Sequence, residues 1–131
     1  MSRKAHRAAI KTILQTAGVT TVYTGAKRTF GGLSPVGLVL SKSELNTWEA
    51  HSVIQNTLGF LVRTFVRVDI GDEESAEDKL DDLRDAAGMG LRSAGYTVGE
   101  SNAAPDGVPL RNIDGVFYRV EDTPVSIEEY A

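Results

Sequence analysis

Phe60-Leu61-Val62-Arg63-Thr64-Phe65-Val66-Arg67-Val68-Asp69-Ile70 alternates in side-chain character, which is the period of a β-strand. Phe60, Val62, Val66, Val68 and Ile70, with Thr64 among them, fall on one face and read as core. Leu61, Arg63, Phe65, Arg67 and Asp69 fall on the other. An ordinary solvent face rarely holds Phe between two Arg, so this second face is expected at a subunit interface or lining an assembly. Cover by a loop is the plainer alternative.

Upstream, residues 48–55 read as a strand, and Asn56-Thr57-Leu58-Gly59 reads as the turn joining it to 60–70 in a hairpin. Residues 19–23 and 35–40 are shorter strand candidates. Between them, residues 24–34 hold three Gly, the adjacent bases Lys27 and Arg28, and Phe30. That composition predicts an exposed loop, with Phe30 as an apolar anchor for a neighbouring subunit or another assembly component.

Two helices flank these strands. Ala5, Ala9, Ile10, Ile13, Leu14 and Ala17 recur at helical spacing over residues 3–17, with Ser2 as cap and Gly18 as stop. Arg3, Lys4 and Arg7 sit at the positive end of this helix's dipole, which disfavours each by ~0.3–1 kcal/mol. Exposed bases simply tolerated there are the plainer reading, an anionic contact the alternative. Ala76, Leu80, Leu83, Ala87, Leu91 and Ala94 predict a second helix over 75–94, with Ser75 and Asp78 as a capping box and Gly95 as stop. Gly88 and Gly90 weaken its middle by about 1 kcal/mol each. Beyond it, 96–99 reads as a strand and 100–114 as a polar loop. Residues 116–121 and 124–130 read as strands separated by an Asp122-Thr123 turn. The order predicts an α+β fold: a mainly antiparallel sheet, an N-terminal helix, and a second helix packed on the sheet.

The chain of 131 residues fits a single domain, 1–131. It has no Cys, which excludes disulfides, thiolate zinc sites and a Cys nucleophile. Ala8-Ala9-Ile10 is interrupted by Lys11, so no signal-peptide core forms, and no stretch approaches the roughly 18 apolar residues of a membrane span. The expectation is a soluble chain made in the cytoplasm, with no membrane contact. Charge is unevenly spread. Residues 1–28 carry six bases and no acid, whereas 72–131 carry 5 bases and 15 acids, a balance of −10. Such asymmetry suits head-to-tail association, the alternative being two solvated faces of a monomer.

Chemistry is sparse. His6 and His51 are the two histidines, no Gly-x-Ser-x-Gly elbow accompanies them, and His51 reads as structural or surface. Gly88-Met89-Gly90-Leu91-Arg92-Ser93 imitates a dinucleotide fingerprint but lacks the third small residue and lies within a helix. Asp78, Asp82 and Asp85 share a helix face in an acidic run that reads as solvated, because no second ligand-rich segment joins it. Arg63, Phe65 and Arg67 form one basic-aromatic strand in an acidic chain, too little for sequence-specific nucleic-acid binding. The reading is not an enzyme, with no catalytic, cofactor or metal residue.

The run Phe65-Val66-Arg67-Val68-Asp69-Ile70, then Leu80-Asp81-Asp82-Leu83-Arg84-Asp85-Ala86, then Tyr118-Arg119-Val120-Glu121-Asp122-Thr123-Pro124-Val125 carries a layout. It resembles the tail-terminator (minor tail, tail-completion) proteins of long-tailed bacteriophages. Those are small α+β proteins with an N-terminal helix, a long-stranded sheet, a helix packed on it and a C-terminal strand pair. Residues 24–34 and 100–114 match nothing in that layout. The resemblance implies a homo-oligomeric ring, usually hexameric, at the head-proximal end of the virion tail. Such a ring caps the tail tube, stops its polymerisation and meets the neck, with the tail tube protein and a neck or head-completion protein as partners and the genome passing through. Candidate interface residues are Arg3, Lys4, Arg7, Lys27, Arg28, Phe30, Arg63, Phe65 and Arg67. Two alternatives stay open: another neck or tail-tube component, and a small α+β ligand-binding domain or enzyme.

Overall fold

Three long strands carry the architecture: β2 (Val36–Trp48), β3 (Ile54–Arg67) and β7 (Val116–Tyr130). The computed structural model describes residues 2–48, 54–69, 71–103, 107 and 110–130. Around the long strands run α1 (Arg3–Ala17), β1 (Thr21–Tyr23), α2 (Glu73–Ser93), β4 (Thr97–Val98), β5 (Asn102–Ala103) and β6 (Arg111–Ile113). The sheet order is β1-β2-β3-β7-β4, with β5 and β6 also pairing to β7. β1 lies parallel to β2 and the other pairs are antiparallel. The chain is α+β, with both helices on one face of a mostly antiparallel sheet.

Strand alternation sends Leu58, Phe60, Val62 and Val66 of β3 to the helix side, where they and Val68 just beyond the strand meet Ile10 and Leu14 of α1 and Leu80, Leu83 and Leu91 of α2. The opposite face has its own cluster of Val36, Leu38, Phe65, Tyr118 and Val120, closed by Phe30. Residues 24–34 thus fold back over the sheet. Phe30 is 2% exposed, so the expectation of an exposed Phe30 anchor is corrected. Phe65 supplies the reason. A Phe on the face away from the helices needs a cover, and Phe30 provides it at a ring-centroid distance of 4.8 Å.

Two expected turns are strand instead. Asn56-Thr57-Leu58-Gly59 lies inside β3, hydrogen-bonded to β2 on one side and β7 on the other, and this two-sided ladder overrides local turn propensity. A Cβ on Gly59 would meet the Ser43 hydroxyl, an exposed group free to turn away, beside the bulge at Ser41/Ser43. Asp122 and Thr123 likewise pair in register with Arg63 and Val62 within one continuous β7. Of the expected 48–55 strand, Trp48 ends β2 and Ile54 starts β3, while residues 49–53, His51 included, lie outside the described residues. Ile70 does too. The expected 100–114 loop contains β5 and β6.

The helix ends follow their caps. Ser2 Oγ accepts from the Ala5 amide at 3.1 Å, and Gly18 closes α1 at φ 115°. α2 starts earlier than expected, at Glu73, and the Ser75–Asp78 box does not form because Ser75 Oγ donates to Asp72. The helix glycines differ in meaning. A Cβ on Gly90 would sit 2.9 Å from Ile13 Cγ2, so Gly90 lets α1 and α2 touch. A Cβ on Gly88 would meet the flexible Arg92 tip at 3.0 Å. Gly90→Ala is therefore expected to cost about 1–3 kcal/mol through overpacking, despite the gain in helix propensity. Gly88→Ala is expected to cost little or to gain up to about 1 kcal/mol. Denaturant midpoints of the two variants check the opposite signs.

Candidate subunit interface

α1 packs on β1 and β2, and α2 packs on β3, β4 and β7. This sorts the sequence's charge asymmetry into space. Arg3 and Lys4 are exposed on α1, and Lys27 and Arg28 are exposed in the segment that follows β1. Glu73, Glu74, Glu77, Asp78, Asp81, Asp82 and Asp85 are exposed on α2. The exposed bases of the first 28 residues thus lie on α1 and just after β1, and a run of exposed acids lies along α2. Each sign appears because its helix buries the apolar stripe and turns the charged stripe to solvent.

At the basic side, Arg3 Nε lies 3.8 Å from Glu44 on β2, an exposed pair. Arg7 donates to Ser41 Oγ at 2.5 Å, and its Nε is buried with no hydrogen-bond partner among the described residues. Lys27 Nζ stands 5.1 Å from the centroid of the Tyr23 ring, a cation–π contact. These residues gather along β1 and β2.

The Arg63-Phe65-Arg67 face is not one surface. Phe65 is 4% exposed and covered by the chain's own Phe30, so the loop alternative holds for it. Arg63 donates to both Asp122 oxygens, at 2.6 and 2.7 Å, from the opposite position on β7. That hydrogen bonding outweighs burial and raises the guanidinium pKa. Such a bidentate pair fixes the β3–β7 register and leaves Arg63 little to offer a partner. Arg67 alone of the three stays exposed, 3.7 Å from Asp69, and its amide donates to Ser34 Oγ.

Three buried polar groups were missed by sequence reasoning. His6, 2% exposed, has Nδ1 at 2.7 Å from Tyr96 Oη and Nε2 at 2.6 Å from Glu129 Oε1. One ring thereby ties α1 to the start of the β4 segment and the end of β7. Burial pushes the Glu129 carboxyl up, but the His6 hydrogen bond and nearby positive charge together hold it below the ordinary value. Burial with the neighbouring Glu129 charge raises the Tyr96 phenol. The signal available was weak: His6 falls on the apolar stripe with Ile10 and Leu14. Asp122 was read as a turn and Glu121 as a strand end.

Glu121 is 5% exposed, faces α2 and has Arg84 at 3.9 Å. Burial raises its carboxyl above the ordinary value of 4.5, against the opposing pull of Arg84. A raised carboxyl binds its proton more tightly in the folded state. Its contribution to stability is therefore full below 4.5 and lost as pH climbs through the raised value. Glu121→Gln is expected to remove that decline and to stabilise the chain at neutral pH. Unfolding midpoints at about pH 5 and about pH 8 read the effect, and an unchanged decline would contradict it.

Among the described residues no group of three His, Asp or Glu is placed to hold a metal ion. What the surface offers is charge: basic along β1 and β2, acidic along α2. No protein-family model matches this chain, and no curated protein matches its sequence.

Proposed function

We propose that the chain is a structural ring-forming protein of a long-tailed bacteriophage, a tail terminator that caps the tail tube and joins it to the neck. The observation that carries this reading is the opposite charge on the exposed residues of α1 and α2. Surfaces of opposite sign on two sides of one molecule attract head to tail, and a head-to-tail interface closes into a ring when its rotation divides the circle. The ends of the sheet are left for two different neighbours, which a terminator needs. The layout of Phe65–Ile70, Leu80–Ala86 and Tyr118–Val125 supports the same reading through the family it resembles.

Electron microscopy of the purified chain tests it. Isolated rings of one subunit number are expected. Long tubes would favour a tube component instead, and a strict monomer with a small-molecule shift in Tm would favour a ligand-binding domain.

A further inference from the structure

β1 covers the outer side of β2 only at Val36, Gly37 and Leu38, and among the described residues no strand pairs with that side over residues 39–48. The vacant position continues the line of β1 past Tyr23. α1 runs beside it in the opposite direction to β2, with Arg3 at Glu44, Arg7 at Ser41 and Leu14 at Gly37. One flank of α1 turns Ile13 toward Gly90 of α2. The other flank carries Arg3, Arg7 and Lys11 a turn apart, with Lys4 beside them, and borders the vacant margin. Lys42, exposed at the bulge between Ser41 and Ser43, adds a base on the margin itself. Acid is scarce there. Glu44 is the one acid of β2, and Arg3 stands 3.8 Å from it. Arg7 donates to Ser41 Oγ, while its Nε is buried with no hydrogen-bond partner among the described residues.

We propose that the β2 margin over residues 39–45 binds an extended acidic segment of a partner protein, added as an edge strand with acids at alternate positions. A bare strand edge offers unpaired backbone N–H and C=O groups, and an edge Lys and a bulge turn away apolar or basic strands. The same charges attract an acidic one. Spacing favours this occupant further. Bases four residues apart on a helix stand about 6 Å apart along its axis. Alternate side chains on one face of a strand stand about 6.6 Å apart. A strand laid along the margin can thus set successive acids against Arg3, Arg7 and Lys11 while its backbone extends the ladder of β2. The main acidic run of this chain is helical, in α2, so the segment comes from another protein. A neighbouring copy's α2 would draw on Arg3 and Arg7 too, so segment and ring contact exclude one another, and the proposal does not depend on the ring reading.

The probe is a fluorescent peptide of about eight residues in which Glu alternates with Thr, added to the full chain at low salt and low protein concentration. Saturable binding by anisotropy is expected, with amide exchange over residues 39–45 slowed in the complex. Arg7→Gln combined with Lys11→Gln should weaken binding about tenfold, with Tm close to that of the parent. Two altered peptides test the mode of binding without touching the fold. Lys in place of Glu should abolish binding. Methyl groups on the alternate amide nitrogens that would face β2 keep the charge but break the ladder, and should remove most of the affinity. Absence of binding, unchanged affinity in the double variant, or exchange that does not slow over 39–45 would each overturn the proposal. Equal binding of the N-methylated peptide would also overturn it, leaving a basic surface and no added strand.

Discussion

Phe30→Ala is expected to lower the unfolding free energy of the isolated chain by about 3–5 kcal/mol, the usual cost of emptying an aromatic site in a core. The ring lies stacked toward Tyr23 at 6.5 Å, tilted against Phe65 at 4.8 Å, and edge-on to Tyr118 at 5.6 Å. Removing it uncovers the whole apolar cluster on the sheet face away from the helices. Tyr118 then loses a neighbour while its hydroxyl still donates to the Leu33 carbonyl at 2.9 Å. A typical domain holds only about 5–15 kcal/mol in total, so the variant should be visibly less stable in denaturant. A loss below about 1 kcal/mol, with assembly impaired instead, would restore Phe30 to the role of an external anchor.

The second large effect concerns association. Reversing Arg3, Lys4 and Arg7 to Glu leaves α1 folded, since acids suit a helix N-terminus better than bases do. It makes the β2 side acidic and sets it against the acidic α2 of the next copy. Each exposed pair contributes about 0–1 kcal/mol, so three reversals amount to at most about two orders of magnitude in interface affinity at low salt. Converting Asp81, Asp82 and Asp85 to Lys in the same chain is expected to restore assembly. Salt near 1 M, where the Debye length is about 3 Å, should flatten the difference between parent and variants. Light scattering across a salt series measures this, and indifference to both reversal and salt would show that apolar and backbone contacts act alone.

The fold was legible where one local signal faced no competitor. The apolar stripe of α1 between Ser2 and Gly18, that of α2 and the alternation over residues 60–67 each named their element directly, while residues 68 and 69 lie beyond the end of β3. The turns failed for a shared reason. Asn56 to Gly59 and Asp122-Thr123 have turn-forming side chains, but each lies where a long strand is paired with a neighbour, and ladder bonds decide over propensity. Gly59 has the composition of a turn and sits instead in the middle of β3, paired on both sides. For the candidate interface, the charge imbalance was plain in the sequence, but which strands each charged helix covers was not. In the sequence, Phe65 between two Arg points to a cover, either a partner or a loop. Its partner is Phe30 of the same chain, a contact between residues 35 positions apart that no periodicity encodes.

The central claim, a ring that ends a tail tube, is tested most directly by tail length in particles assembled without this chain. Tails of uncontrolled length that fail to join heads are expected. Tails of normal length, joined to heads as usual, would contradict the account.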